Sequence, residues 1–201
     1  MKKLFKRCPI CGEKLEKFNL CKNCLDNLEF DPYHSYKIDG LRDVLVSFQY
    51  SGIGKELIKR FKFNGELFLD QIIGDLMIEK LLKTSYLLEF SNITYVPMTK
   101  KKKNIRGFNQ SKILAQYIAK NLDLNLIESF EKIRSTKEQV GLDKNDRQKN
   151  IKDAFVIKNY SSDIIIVDDV ITTGSTIREL VKLTSKEGIK TLALIAATQW
   201  N

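Results

Sequence analysis

The sequence predicts an α/β protein: a mainly parallel β-sheet flanked by helices, with a small zinc-ribbon-like module at the N-terminus. Two observations carry this prediction. From residue 41 onward, short apolar segments rich in β-formers alternate with segments of helical periodicity, the order that builds a parallel sheet covered on both faces. All four cysteines lie near the N-terminus, as two Cys-x2-Cys pairs. We therefore expect a four-cysteine module over residues 1–40 and a larger α/β domain over residues 41–201.

The cysteine pairs are Cys8-Pro9-Ile10-Cys11 and Cys21-Lys22-Asn23-Cys24. Two residues between cysteines allow a tight turn that aims both thiolates at one point, and two such turns complete a tetrahedral sulfur cage for Zn²⁺. Four thiolates leave no open coordination position, so the predicted zinc is structural. Disulfides are the alternative, disfavoured in a chain expected to stay in the cytoplasm. A redox pair is disfavoured because no βαβ pattern surrounds either motif.

Composition limits the function classes without choosing among them. A hydrophobic content of 43% with 29% charged residues is ordinary for a globular protein. No apolar stretch approaches the ~18 residues that a membrane span needs, and the basic start of the chain leads into Cys and Pro. We therefore expect a cytoplasmic protein without a membrane span or a secretory signal. The net charge of +9 suits an anionic partner, although lysines on solvated faces give the same balance.

The predicted elements can be placed in order along the chain. Strands are predicted over 41–50, 93–96, 154–157, 164–167 and 192–197. Helices are predicted over 53–61, 67–82, 108–122 and 175–187, the last of them closed by Gly188. Residues 134–152 are polar and lack either period, so a mobile loop is expected there.

The most informative segment is residues 164–176. An apolar strand is followed by Asp168 and Asp169, and the chain then turns into a helix through Thr172, Thr173, Gly174, Ser175 and Thr176. Successive amides, hydroxyls and a helix N-terminus form a nest for a phosphate dianion. Two acids beside such a nest oppose anion binding, but a ribose 5-phosphate resolves the conflict because its hydroxyls can donate to the carboxylates. The alternative is a plain capping pair, which leaves the threonine-rich turn unexplained.

These thirteen residues match at every position the signature of the purine and pyrimidine phosphoribosyltransferases: an apolar strand, two acids, two apolar residues and T-T-G-x-T. Over essentially its whole length the chain resembles the ComF family, the phosphoribosyltransferase-like competence proteins. Beyond the cysteine module, the resemblance rests on Tyr50-Ser51-Gly52, Lys62-Phe63, Val96-Pro97, Arg106-Gly107-Phe108-Asn109-Gln110, Gln139, Arg147, Asn150 and Ala154-Phe155.

The resemblance implies a type I phosphoribosyltransferase fold that binds phosphoribosyl pyrophosphate with Mg²⁺. Asp168 and Asp169 would be the catalytic residues, orienting the ribose and stabilising an oxocarbenium-like cation. The loop after strand 93–96 would receive the pyrophosphate through Thr99 and Lys100, with Arg106 compensating its charge. The loop over 134–150 would close over the substrate and exclude water.

The sequence contains no recognisable acceptor-binding residue. The family is implicated in natural transformation, so single-stranded DNA and DNA-uptake proteins are the implied partners. Two functions consequently remain open. One is a phosphoribosyltransferase that releases pyrophosphate to an unidentified acceptor. The other is a non-catalytic module that binds single-stranded DNA or nucleotides, with the lysines at 100–103 as a DNA contact. A solvated loop explains that lysine run equally well.

Overall fold

The structure is a computed structural model that describes residues 5–31, 36–134 and 151–199. Seven strands lie in these ranges: β1 Val44–Gln49, β2 Asn92–Tyr95, β3 Asn125–Leu126, β4 Phe130–Lys132, β5 Phe155–Ile157, β6 Asp163–Ile171 and β7 Lys190–Thr198. The six α-helices of the same ranges are α1 Lys22–Asp26, α2 Gly52–Phe63, α3 Asp70–Leu82, α4 Lys100–Arg106, α5 Gln110–Leu122 and α6 Ser175–Lys186.

Five of the strands form one parallel sheet in the order β1-β7-β6-β2-β3, so the predicted α/β class with a mainly parallel sheet is confirmed. β6 and β7 lie at its centre and are buried on both faces, which explains their continuous apolar runs. Ile165 and Val167 face α2, α3 and α5, whereas Ile164 and Ile166 face α6. Among the described residues, no helix combines the length and the apolarity that crossing a membrane requires.

The strand predicted over 164–167 is longer than expected and includes both aspartates. β6 runs to Ile171 because its pairing with β7 continues through Asp168↔Ile195 to Ile171↔Thr198. Hydrogen bonding to a neighbouring strand thus extends the element past the residues that look like its end. Both aspartates therefore lie within β6, near its carboxyl end. Because they are consecutive residues of a strand, their side chains point to opposite faces of the sheet.

A second difference concerns the segment after β2, which was predicted as a loop and instead contains α4. Thr99 caps this helix by accepting a hydrogen bond at its side chain from the Lys102 amide, and Gly107 ends it in the left-handed conformation at φ +84°. Lysine is a good helix former, so the run at 100–103 supports a helix once both ends are capped. The short strands β3 and β4 were not predicted, because two or three residues show no measurable period.

The small strand over 154–157 is present as β5, but it lies outside the main sheet and pairs antiparallel with β4. Most of the predicted loop over 134–152, including Gln139, Arg147 and Asn150, lies outside the described residues.

The four-cysteine segment packs directly on the α/β part of the molecule. Cys8, Cys21 and Cys24 are buried in the same apolar cluster as Phe61 of α2 and Met77 of α3. The following segment also joins β1, through a backbone bridge between Phe30 and Phe48. The division at residue 40 stays a prediction about folding units, since in space both parts share this core.

Candidate functional site

The structure brings the four predicted metal ligands together. The Sγ atoms of Cys8, Cys11, Cys21 and Cys24 all lie within 4.8 Å of one another, as the N-terminal four-cysteine prediction required. Cys11 Sγ is 3.3 Å from Cys21 Sγ and 3.5 Å from Cys24 Sγ. Tetrahedral zinc with bonds of ~2.3 Å holds its sulfurs about 3.8 Å apart, so this spacing fits a metal such as zinc.

Backbone geometry fixes the cluster before any metal is considered. Cys21 caps α1 and accepts a hydrogen bond from the Cys24 amide at 3.4 Å, and Gly12 turns the chain after the first pair at φ +82°. Burial raises the pKa of Cys8, but backbone N–H groups, led by that of Cys21, outweigh it and lower the pKa to about 7. Burial raises the pKa of Cys24. The thiol of Cys8 therefore loses its proton more readily than the thiol of Cys24.

The predicted phosphate loop lies at the carboxyl edge of the sheet, between β6 and α6. Gly174 has φ +71° and ψ 6°, a left-handed conformation that a glycine adopts without strain, and it occupies the cap position of α6. Thr173 Oγ1 and Ser175 Oγ are 2.6 Å apart. The Arg178 guanidinium donates a hydrogen bond to the Thr173 carbonyl oxygen. A cation from the first turn of α6 therefore lies beside the loop, with Thr172 and Thr176 half-buried at either end.

Asp168 is held by the start of α5. Its Oδ1 accepts hydrogen bonds from Ser111 Oγ at 2.8 Å and from the Asp169 amide at 2.9 Å. Burial and the charge of Asp169 raise the pKa of Asp168 to about 7, against the opposing effects of these hydrogen bonds and of Lys62. The carboxyl is therefore poised between its two protonation states near neutral pH.

Asp169 is held by a different element, α2. Its Oδ2 lies 2.9 Å from Lys62 Nζ, and both side chains are largely buried. The charge of Asp169 outweighs burial and raises the pKa of Lys62, so the ammonium stays charged. Within the described residues, Asp168 Oδ2 and Asp169 Oδ1 accept no hydrogen bond. Each carboxylate is thus fixed by one oxygen and has its second oxygen free to accept from a ligand.

The residues predicted to receive pyrophosphate do not form one cluster. Thr99 is buried and its hydroxyl oxygen is used to cap α4. Lys100 lines a cleft of about 310 Å³ between the ends of β2 and α4 and the β4–β5 pair. Arg106 lies at the other end of α4, about 9 Å farther along the helix axis. Its guanidinium carbon is 5.4 Å from the ring centroid of Phe63.

The cleft is strongly basic. Its lysines are Lys100, Lys103, Lys112, Lys132 and Lys158. Lys112 pairs with Glu128 at 2.5 Å and Lys158 with Glu131 at 3.4 Å. Burial and the charge of Lys102 lower the pKa of Lys132 to about 8, while Asp168 opposes the shift. The cleft therefore adjoins the carboxylate pair and offers excess positive charge.

Sequence reasoning missed Lys62, Ser111 and Arg178 as site residues. Lys62 is part of Lys62-Phe63, one of the segments that resemble the ComF family, and that resemblance was the only sign in the sequence that this lysine belongs to the site. Ser111 and Arg178 carry no such mark, because only the packing of α5 and α6 against the strand ends brings them to the site.

Comparison with known proteins gives a consistent set of relatives, although no protein-family model matches the chain. Competence protein F of Haemophilus influenzae is 30% identical over 196 residues, covering 91% of this chain and 86% of that protein. The DNA utilization protein YhgH of Salmonella typhimurium is 30% identical over 192 residues, covering 92% and 80%. Competence protein ComFC of Bacillus subtilis is 25% identical over 195 residues, covering 90% and 72%.

Among solved structures, orotate phosphoribosyltransferase from Aeropyrum pernix overlaps 74% of this chain and 94% of that one, with a TM-score of 0.44 and 14% identity. An overlap this loose carries no argument about function.

Proposed function

This chain belongs to the competence protein F family, and from that premise we propose that it binds phosphoribosyl pyrophosphate at residues 168–176 and serves DNA utilization. One observation carries the proposal. Two carboxylates, each with one free oxygen, directly precede a loop in which Gly174 leads into the N-terminus of α6. A ribose 5-phosphate has one phosphate for such a loop and two neighbouring hydroxyls for two such oxygens.

In this proposal the phosphate is bound by the amides and hydroxyls of residues 172–176, and Arg178 supplies compensating positive charge beside them. Asp168 and Asp169 accept the ribose hydroxyls with Oδ2 and Oδ1. Their negative charge stabilises the cation that develops on the sugar as pyrophosphate leaves the anomeric carbon. The pyrophosphate passes to the basic cleft beside Lys100, and the acceptor forms the new bond to that carbon. Mg²⁺ would be held chiefly by the oxygens of the substrate, since it binds few protein ligands.

Zinc has a separate role in the proposal. We assign it to the four cysteines as a structural ion, because their sulfur donors suit zinc and leave no coordination position for a substrate.

The test is calorimetric titration of phosphoribosyl pyrophosphate and of inorganic phosphate, with Mg²⁺ present. Hydrogen bonds to charged groups contribute about 1.5–3 kcal/mol, so Asp168→Asn and Asp169→Asn should each weaken phosphoribosyl pyrophosphate binding about tenfold or more. Inorganic phosphate should bind the variants as well as the parent or better, because a repulsive charge has gone. If the variants bind phosphoribosyl pyrophosphate as tightly as the parent, the ribose assignment is wrong.

Asp163→Asn is the matched control. Asp163 lies at the opposite end of β6, where its carboxylate accepts hydrogen bonds from the backbone amides of Ser91 and Asn92. The substitution is chemically identical and lies in the same strand. It should lower stability without changing the affinity for either ligand.

A second function has its own supporting observation, the basic cleft and the net charge of +9. In this alternative the protein is a non-catalytic module that grips single-stranded DNA or a terminal nucleotide. The two functions separate in one pair of assays: pyrophosphate release from phosphoribosyl pyrophosphate with candidate bases, and salt-dependent binding to single-stranded DNA. Release without DNA binding supports the enzyme, and the reverse result supports the module.

A further inference from the structure

Phe63 presents an aromatic ring to solvent beside the proposed ribose site. It is the last residue of α2 and is 64% exposed, whereas Phe61 of the same helix is fully buried. Between them lies Lys62, whose ammonium binds Asp169 at 2.9 Å. The exposed ring is therefore the immediate chain neighbour of a residue that contacts the carboxylate pair.

Arg106 covers part of this ring. Its guanidinium carbon lies 5.4 Å from the Phe63 centroid, and its charge is close enough to Lys62 to oppose the rise in the lysine pKa. No carboxylate of the described residues lies within ion-pair distance of Arg106. A planar cation and an aromatic ring thus lie together at the edge of the site, and in the described chain the cation contacts the ring without pairing with a carboxylate.

The arrangement is fixed by the fold. Gly107, in the left-handed conformation, ends α4 directly after Arg106 and turns the chain inward. The next residue, Phe108, then packs against the buried Phe61 at 6.2 Å between ring centroids. This aromatic pair, in which Phe61 is buried and Phe108 is half-buried, joins the end of α2 to the end of α4. The pair of the exposed Phe63 and the half-buried Arg106 is consequently held in position by the residues on either side of it.

A guanidinium plane and a phenyl ring both stack on flat aromatic ligands, and every nucleobase offers such a face. We propose that Phe63 and Arg106 form a stacking platform for the nucleobase that is joined to, or about to be joined to, the ribose bound at Asp168 and Asp169. This inference rests on the proposed function and adds the class of acceptor, a purine or pyrimidine ring. The platform recognises the flat shape of the ring and leaves its hydrogen-bonding edge unread.

The experiment compares ribose 5-phosphate with two nucleoside 5′-monophosphates, AMP and UMP, by calorimetric titration. Both kinds of ligand carry the same sugar phosphate, and only the monophosphates carry a base. Base–aromatic stacking contributes about 1–3 kcal/mol, so Phe63→Ala should reduce the ratio of monophosphate affinity to ribose 5-phosphate affinity by about 5- to 150-fold. Phe30→Ala, which removes another exposed phenyl ring, should leave the ratio unchanged.

Two further variants separate stacking from charge and from simple truncation. Phe63→Trp keeps a flat ring, so it should preserve the ratio, and its added indole fluorescence should be quenched by the monophosphates more than by ribose 5-phosphate. Arg106→Lys keeps the charge but loses the plane, so the ratio should again fall.

The outcomes distinguish this inference from the proposed function. If ribose 5-phosphate binds the parent and Phe63→Ala leaves the ratio unchanged, the platform is wrong and the ribose site stands. If ribose 5-phosphate fails to bind the parent, the proposed function fails and the platform fails with it. If Phe63→Ala and Phe30→Ala reduce the ratio equally, the effect is not stacking at this site, and the inference is overturned.

Discussion

The four-cysteine cluster and the carboxylate pair are both sets of acidic side chains held close together, but their charges are balanced by different means. The sulfurs lie within 4.8 Å of one another, and their four donors suit a metal ion such as zinc. Asp168 and Asp169 instead have protein partners, Ser111 from α5 and Lys62 from α2. The first cluster therefore offers a site for an ion from outside the chain. The second is partly balanced by the fold and keeps capacity for a ligand.

The largest expected effect comes from removing the ion that balances the cysteines. Structural zinc supplies on the order of 10 kcal/mol of folding free energy in small zinc domains, and here the cluster shares a core with α2 and α3. Cys24→Ser should therefore lose the metal and lower the thermal midpoint of the whole chain, not of its N-terminus alone. Metal analysis should give about one zinc per chain in the parent, and calorimetry should show the drop.

Lys14→Ala is the control for this prediction, because Lys14 is an exposed residue between the two cysteine pairs. It should keep both the metal and the midpoint. Freshly reduced parent protein without zinc, or a Cys24→Ser variant that melts like the parent, would contradict the assignment.

The second prediction removes the partner that the fold supplies to Asp169. Lys62→Met should cost about 3 kcal/mol in unfolding free energy, because it leaves a largely buried carboxylate unpaired. Lys17→Met breaks a pair of similar length, 3.1 Å to Glu79, whose lysine is 63% exposed. Exposed pairs contribute about 0–1 kcal/mol, so the two variants should differ clearly in urea denaturation. Equal losses would mean that burial does not distinguish the two pairs.

The third prediction uses the pKa of Asp168, which lies near 7 in the folded protein and near the ordinary carboxyl value in the unfolded chain. The folded state then binds the extra proton, so the contribution of this group to stability is present below about pH 4 and is lost as the pH rises to 7. Asp168→Asn removes that loss. We expect the variant to be more stable than the parent at pH 8, by about 1 kcal/mol or more, and to lose the advantage at pH 4. A pH-independent difference between parent and variant in urea denaturation would show that Asp168 titrates normally.

The smallest effect on stability is expected on α4, for lysines that belong to neither the cysteine cluster nor the carboxylate pair. Lys101 and Lys103 are exposed on α4, and replacing both by Ala should change stability by no more than about 0.5 kcal/mol. It should weaken single-stranded DNA binding at low salt and reduce the salt dependence of that binding by about one or two counterions. Fluorescence anisotropy at several salt concentrations measures both quantities. Lys55→Ala with Lys59→Ala on the exposed face of α2 is the matched pair, and an identical response from it would show that α4 has no special part.

The sequence predicted the cysteine cluster and the turn from β6 into α6 because both depend on neighbours in the chain. Two residues between cysteines set a turn, and Gly174 between hydroxyl residues sets a loop, whatever surrounds them. The partners of the carboxylates could not be predicted in this way. Ser111 and Lys62 lie 57 and 107 residues before Asp168 and Asp169, and only the packing of α5 and α2 on the sheet brings them together.

The errors in the predicted secondary structure also arise from contacts that are distant in the sequence or from patterns that suit two structures. The end of β6 was placed too early because two aspartates resemble the end of a strand, whereas pairing with β7 continues to Ile171. The segment of α4 resembled a loop because a run of charges has no apolar face. Its caps, Thr99 and Gly107, were visible in the sequence, but each also suits an ordinary turn.

Helix α2 contacts both clusters from two positions of one short stretch. Arg60 donates a hydrogen bond at 2.8 Å to the carbonyl oxygen of Pro9, inside the first cysteine turn, and Lys62 binds Asp169. One residue of helix advances the chain by about 1.5 Å and rotates it by about 100°. An insertion or deletion between these two residues would therefore turn one of them away from its partner, however conservative the inserted side chain. A substitution on the exposed face of the helix leaves both contacts in place, whereas a change of helix length between them breaks one.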